Sequence, residues 1–300
     1  MIRGAGELRA ATDAARAAGR DVALVPTMGA LHDGHASLLR RARAERSFVV
    51  MSLFVNPLQF GQDEDFERYP RDEAADLAIA EGLGVDVVWA PPLEEMYAPG
   101  RDLPTPDPGP VGEVLEGFSR PGHFAGVLAA VRRLLEVCGP SAVYLGEKDA
   151  QQLFLVRQMV KHLDEPDARF TVVGCSTVRE ADGLALSSRN AYLSADERGQ
   201  AGCLFLALSE AAAAYRSGER SAGVLRAVMA REVGATPLAR LDYATVVDEA
   251  TFAEVERVDG PARALVAARI GTTRLIDNLR LSPGEPVGHA EPASGSGRTG

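Results

Sequence analysis

Between Val22 and Val173 the chain alternates short apolar runs with stretches in which apolar side chains recur every three to four positions. The runs Val22–Val25, Phe48–Val55, Val85–Trp89, Ala142–Leu145 and Phe170–Val173 read as strands. Helical spacing fits between them over Ala36–Glu45, Asp72–Gly82, Phe124–Val137 and Ala150–Leu163. Such alternation predicts an α/β architecture, a Rossmann-like, doubly wound parallel sheet. Ligands of these sheets sit beyond the carboxyl ends of the strands. The polar, glycine-bearing segments of this chain each follow a predicted strand directly.

After about Thr177 the pattern changes. Helical spacing covers Ala195–Tyr215 and Ala222–Glu232, and then Tyr243–Val247 and two further β-rich runs lead to about Leu281. We therefore expect a first domain over 1–176 and a smaller C-terminal α+β domain over 177–282. Residues 283–300 are rich in Pro, Gly and Ser and have too few apolar side chains to offset their ordering entropy, so a disordered tail is expected. The segment Leu103–Pro110 reads as a rigid extended loop.

Composition narrows the function classes. With 46% apolar and 25% charged residues among 300, the chain can bury a substantial core. No stretch approaches the roughly 20 apolar residues of a membrane span, and the first ten residues lack the apolar core of a secretory signal, so a cytoplasmic protein is expected. The net charge of −10 opposes nonspecific binding to nucleic acid. The basic cluster Arg40, Arg41, Arg43 and Arg46 reads as a solvated helix face. Cys138, Cys175 and Cys203 are odd in number and far apart, which predicts buried thiols rather than disulfides or a metal knuckle.

Four segments carry candidate chemistry. Pro26–His35 runs out of a strand through two glycines towards a helix, as a phosphate cradle does: glycine permits close backbone approach, and the helix N-terminus favours an anion. His32 and His35, three residues apart, face one side if they share a turn, and there neutral imidazoles donate hydrogen bonds to phosphate oxygens. In Phe54–Gly61, Asn56 and Gln59 offer amides that both donate and accept, which suits a hydroxy acid. Gly146–Gln152 places Lys148 as a mobile cation after a strand, where it can offset charge developing on phosphorus, with Asp149 a candidate helix cap. In Thr177–Asn190, Ser187, Ser188 and Arg189 offer hydroxyls and a planar guanidinium to phosphate. Each segment also has a bland reading: surface histidines, a turn at Asn56-Pro57, an exposed Lys148, and an Arg189 paired to Asp182 or Glu180. His123, at the start of an apolar helix, reads as a structural residue that satisfies the helix terminus.

Together, in order and spacing, these blocks resemble the pantothenate synthetase family, which shares its HxGH motif with class I aminoacyl-tRNA synthetases. The match includes Glu116-Gly and Arg120–Phe124, is dense from Val22 to Leu193, and continues more loosely to about Leu281. The resemblance implies that Met28, Gly29, Ala30, Leu31, His32, Asp33, Gly34 and His35 form the ATP cradle, with His32 on phosphate and His35 as proton donor. It further implies that Gly146, Glu147, Lys148 and Asp149 bind nucleotide, that Val178, Leu186, Ser187, Ser188 and Arg189 close over ATP, and that Gln59 and Gln152 hold pantoate. Gln59 also lies near β-alanine, Asn56 supports the phosphate side, and Asp76 is a weak candidate for the Mg²⁺ environment. Leu186, Ala150 and Ser176 depart from the family pattern, without removing a charged or hydrogen-bonding group.

The implied activity is ATP-dependent condensation of (R)-pantoate with β-alanine through pantoyl adenylate, in a homodimer, with ATP and Mg²⁺ required. No protein nucleophile is called for, because the substrate carboxylate is already ionised at neutral pH. Two alternatives compete. Another HxGH nucleotidyltransferase with a phosphate acceptor would want cations where Gln59 and Gln152 stand. A catalytically silent nucleotide-binding homologue would be expected to have lost Lys148, His35 or Arg189.

Overall fold

The computed structural model describes residues 1–61, 66–97, 105–163 and 170–283. The chain divides into two compact units, the first comprising 1–147 and 151–176, the second 148–150 and the chain from Thr177 onward.

The first unit contains α1 (Ala5–Ala17), β1 (Val22–Thr27), α2 (Asp33–Glu45), β2 (Phe48–Leu53), α3 (Glu73–Gly82), β3 (Val87–Trp89), α4 (Leu93–Met96), α5 (Glu116–Ser119), α6 (His123–Cys138), β4 (Ala142–Gly146), α7 (Ala150–Lys161) and β5 (Thr171–Cys175). Its five strands are parallel in the order β3-β2-β1-β4-β5. The strands alternate between two apolar layers, which is why their sequences are apolar at nearly every position. Val22, Leu24, Phe48, Val50, Val143 and Leu145 pack with Leu8, Val127, Val131, Leu134 and Val156 of α1, α6 and α7. Ala23, Val25, Val49, Met51, Ala142 and Tyr144 pack instead with Leu38, Leu39 and Ala42 of α2 and Ala80 of α3. The stripe Val127, Val131, Leu134 and Leu135 is buried core.

Several local expectations are corrected. The helix α1 lacks an obvious apolar stripe because its buried positions are mostly small: Ala5, Leu8, Thr12 and Ala15. Helix α2 begins at Asp33, three residues before the apolar periodicity starts, because a histidine side chain caps it. The arginine cluster lies on a solvated helix face, with Arg40 and Arg41 exposed, and three of its members also find partners. Arg41 binds Glu45, while Arg43 binds Asp86 at 2.8 Å and the Arg46 carbonyl at 2.7 Å. Of the segment 103–110, the first two residues lie outside the described residues, and its end, from Asp107 to Pro110, turns. Asp107 accepts the Gly109 N–H, Gly109 has φ 62°, and Pro110 opens a 3₁₀ turn. The expected disordered tail lies, after Pro283, outside the described residues. All three cysteines are buried, and burial pushes the thiols of Cys138 up to about 12 and of Cys175 up to about 11.

The second unit contains α8 (Ala195–Ala201), α9 (Cys203–Arg216), α10 (Ala222–Gly234), β6 (Ala239–Asp248), β7 (Ala262–Ile270) and β8 (Thr273–Leu281). The three strands form an antiparallel sheet in the order β6-β7-β8. One face of β7, Ala264, Val266, Ala268 and Ile270, packs against Leu204 and Leu208 of α9 and Leu225 and Met229 of α10. The turn between β7 and β8 is two residues long, with Gly271 at φ 57° where a side chain would be strained.

Candidate active site

In the first unit the strand order reverses between β1 and β4, the place where a doubly wound sheet opens a crevice for a ligand. Three neighbouring strands, β2, β1 and β4, deliver three of the four sequence segments at their carboxyl ends.

After β1 the chain turns sharply through Met28, Gly29 at φ 86° and Ala30 at φ 50°. A Cβ on Gly29 would lie 2.8 Å from both Asp76 Oδ2 and Leu53 Cδ1, so glycine is required there on two counts. Ala30 in the left-handed region costs about 1 kcal/mol. That cost is offset by Asp76 of α3, whose buried carboxylate accepts the Ala30 N–H at 3.0 Å and the Leu31 N–H at 2.8 Å.

His32 then caps α2. Its Nδ1 accepts the Gly34 N–H at 3.1 Å, and Nδ1 of His35 accepts the His32 N–H at 3.4 Å. The rings lie 4.1 Å apart, confirming that both histidines share the first turn. An Nδ1 that accepts a backbone N–H leaves Nε2 as the donor position of each ring. The expected phosphate cradle is therefore modified. The N–H groups of Ala30, Leu31, His32 and Gly34 already bond to protein side chains, so this turn is not a bare backbone loop.

After β2, Asn56 is 2% exposed and its amide is fully engaged. Nδ2 donates to the Gly126 carbonyl at 3.0 Å and to Gln59 Oε1 at 3.3 Å, while Oδ1 accepts from Leu58 N–H at 3.2 Å and Tyr97 O–H at 3.0 Å. Burial raises the Tyr97 phenol well above its ordinary value, so it stays a donor. Asn56 is thus a brace for Gln59 rather than a group with hydrogen bonds to offer a substrate. Gln59 Nε2 lies against Met28 Sδ, which brings the second segment onto the first. The Gln59 carbonyl accepts from His123 Nδ1 at 2.8 Å and from Arg120 at 3.2 Å, and Arg120 Nη1 lies 3.0 Å from His123 Nε2. His123 is structural as expected, but what it satisfies is the Gln59 carbonyl and not the end of its own helix.

After β4, Gly146, Glu147, Lys148 and Asp149 lead through a 3₁₀ turn into α7. The adjacent glutamines divide by helical rotation. Gln151 is buried, donating to the Val111 and Val114 carbonyls at 2.7 and 2.9 Å and accepting from the Glu116 N–H. Gln152 is half-buried and its amide makes no hydrogen bond to a described residue.

In the second unit Lys148 is largely buried, with Nζ 3.6 Å from Asp149. Asn278 of β8 donates to the Lys148 carbonyl at 2.8 Å. The fourth segment is a hairpin in which Leu186 N–H donates to the Val178 carbonyl at 2.9 Å. Ser187 caps the following 3₁₀ turn by accepting the Arg189 N–H at 3.3 Å, and Ser188 and Arg189 lie on that turn, both half-buried. Arg198, not Arg189, pairs with Glu180 and Asp182.

A family model described as pantoate-beta-alanine ligase matches residues 1–280. The chain belongs to the pantoate-β-alanine ligase family. The pantothenate synthetase of Roseiflexus castenholzii is 49% identical over 281 residues, covering 94% of this chain and 99% of that protein. That of Saccharopolyspora erythraea is 51% identical over 281 residues, covering 93% and 90%. Among solved structures, pantothenate synthetase from Thermus thermophilus has a TM-score of 0.87 at 43% identity, with 94% and 99% covered. The pantoate-beta-alanine ligase of Francisella tularensis, complexed with beta-gamma ATP and beta-alanine, has a TM-score of 0.74 at 31% identity, with 94% and 98% covered.

For a member of the pantoate-β-alanine ligase family the donor set at the strand ends is apt, since neutral amides and imidazoles bind hydroxyl, carboxylate and phosphate oxygens without supplying a nucleophile. Asp76 does not fit a metal cage. Both of its oxygens hold backbone amides, and no group of three or more His, Cys, Asp or Glu among the described residues is placed to hold a metal. No helix among the described residues is long and apolar enough to cross a membrane.

Proposed function

We propose that the histidine pair, Lys148, Arg189 and the two glutamines divide the work of joining pantoate to β-alanine. The chain is an ATP-dependent ligase: the pantoate carboxylate attacks the α-phosphorus of ATP, the P–O bond to pyrophosphate breaks, and pantoyl adenylate forms. The β-alanine amine then attacks the acyl carbon, and AMP leaves. Neither step needs a protein nucleophile, so catalysis rests on orientation and on offsetting phosphate charge.

The observation that carries this assignment is the hydrogen bonding of the histidine pair, in which Nδ1 of each ring lies against a backbone N–H. With both Nδ1 atoms accepting backbone N–H groups, Nε2 of His32 and His35 become fixed donors at the N-terminus of α2, where an anion is favoured. His32 binds phosphate and His35 donates to the oxygen that takes up charge as pyrophosphate departs. Lys148 and Arg189, with Ser187, supply the cationic and hydroxyl contacts to the phosphates. Met28–Leu31, Asp33, Gly34, Gly146, Glu147, Asp149, Val178, Leu186 and Ser188 complete the nucleotide contacts. Gln59 and Gln152 hold pantoate, and Asn56 acts through Gln59. Mg²⁺ enters on ATP as part of the substrate, which needs no resident cage because the ion keeps waters and bridges phosphate oxygens. Family membership also supports a homodimer working in the cytoplasm.

The test is exchange of labelled pyrophosphate into ATP with Mg²⁺, with and without pantoate, β-alanine being omitted. Exchange that requires pantoate is expected, because the first half-reaction is reversible and needs no amine. Folded protein that binds ATP but shows no pantoate-dependent exchange would overturn the proposal in favour of another acid or a silent homologue.

A further inference from the structure

Asp76 is a buried carboxylate with an unusual set of partners. It is 2% exposed, forms no ion pair with a described residue, and both oxygens accept backbone N–H groups from consecutive residues of the β1–α2 turn. That turn holds two successive left-handed residues, one of them Ala30 at φ 50°. A carboxylate bridging two adjacent amides fixes their relative direction, and a non-glycine residue stays in this conformation only where its surroundings over-determine it. Immediately downstream the same turn sets His32 as the cap of α2 and thereby the pairing of His32 with His35.

We infer that Asp76 is a positioning residue for nucleotide binding: its carboxylate clamps the Gly29–Leu31 turn so that the two imidazoles present Nε2 in a fixed arrangement. The inference rests on the proposal that Met28–His35 binds ATP. It assigns to Asp76 a role through the protein backbone instead of through a metal. The carboxylate also occupies the amides that a glycine-rich anion loop would otherwise offer, so phosphate recognition passes to the imidazole edges.

Asp76→Asn tests the clamp with little change in shape. An amide keeps one acceptor oxygen but turns an N–H donor towards the second backbone N–H, so one of the two bonds is lost. The expected result is a rise in the KM for ATP of about tenfold or more in pyrophosphate exchange, one charged hydrogen bond's worth, with pantoate KM little changed. Half-saturation by free Mg²⁺ at fixed MgATP stays at the wild-type value, and Mn²⁺ gives no rescue. Adding Ala30→Gly, which removes the strain that the clamp opposes, is expected to recover much of the ATP affinity. A melting curve on each variant confirms that folded protein is being compared. A several-fold shift in Mg²⁺ requirement, rescue by Mn²⁺, or failure of Ala30→Gly to recover any ATP affinity would overturn the positioning role. His35→Ala separates the two layers of the argument. If His35→Ala impairs exchange and Asp76→Asn does not, the clamp is wrong and the nucleotide cradle stands; if neither does, the cradle itself is wrong.

Discussion

Each unit of this chain buries charged side chains, but they are satisfied in different ways. In the first unit Asp76 faces two backbone amides, and its neighbours carry the strain of a left-handed turn. In the second, Arg179 and Asp277 pair bidentately, with Nη2 to Oδ1 at 2.9 Å, and both are more than nine-tenths buried. Arg179 also donates to the Gly183 carbonyl at 3.0 Å and lies 4.3 Å over the Phe205 ring. Beside this pair, Arg263 joins Glu249 to Asn278. The second network is self-complementary and pins chain segments together, whereas the first holds a turn that, on the function proposed above, presents donors to ATP. Buried charge is therefore satisfied by an opposite charge in one place and by backbone amides in the other.

The sharpest break in that contrast is Lys148, since Asn278, a member of the second network, holds its carbonyl. If that network only stabilised the fold, truncating Lys148 would be mild. Lys148→Ala is expected instead to slow pyrophosphate exchange on the order of 10²–10³-fold, the usual cost of deleting a contact to developing charge, with an unchanged melting temperature. Near-normal exchange would remove Lys148 from the chemistry.

Arg179→Met should do the reverse. It leaves Asp277 buried and uncompensated, for which about 3–5 kcal/mol of lost stability is expected, read as a drop in the urea midpoint. Because the loss comes from the stranded charge, adding Asp277→Leu to the same variant should restore part of it. A double variant less stable than Arg179→Met alone would show that the pair itself, and not the orphaned carboxylate, sets the cost.

Gly126 sharpens the comparison within the first unit. A Cβ there would lie 2.1 Å from the Leu58 carbonyl oxygen and 2.8 Å from Gln59 N, both backbone atoms that cannot rotate away. Gly126→Ala should push the Asn56–Gln59 turn off α6, costing about 1–3 kcal/mol as an overpacked contact and raising the KM for pantoate more than that for ATP. Equal changes in both would mean that the turn does not serve the acid specifically.

The strands were legible because a sheet covered on both faces demands unbroken apolar runs, as in Val22–Val25 and Phe48–Met51. Helix α1 was not, since Ala5 and Ala15 bury little area and Thr12 reads as polar. In the site, residue types could be read and partners could not. That His32 and His35 are imidazoles three residues apart is visible; which nitrogen is protonated depends on backbone amides placed by the fold. Asp76 acts 46 residues from Ala30, so no local pattern reveals the clamp. Gly126 stands alone in an apolar helical run, and its contact with the Leu58 carbonyl comes from a segment 68 residues away that no local pattern points to. Arg198 and Arg189 are interchangeable by composition, and only the turn of α8 decides which one meets Glu180 and Asp182.

The smallest expected effect lies at the opposite end of the parallel sheet from the strand ends that carry the site. Asp86, just before β3, accepts from Val49 N–H and Arg43 at 2.8 Å and from Arg20 at 2.6 Å, tying together the starts of β1, β2 and β3 and the end of α2. Burial alone would raise its carboxyl, but the Val49 amide and the two guanidinium groups outweigh it and hold the group below the usual carboxylate range. A group whose folded value is depressed contributes stability that is fully present above its unfolded value, about 4, and that is lost as pH falls through the folded value. Asp86→Asn should therefore lower the urea midpoint at pH 7, by about 1 kcal/mol for weakened charged hydrogen bonds, and flatten the loss of stability below pH 4 relative to wild type. Ligase kinetics at neutral pH should not change, because nothing at this end of the sheet reaches the histidine pair or Gln59. A change in the KM for ATP or pantoate in this variant would show that the two ends of the sheet are coupled, and the separation of stabilising from orienting charge drawn above would fail.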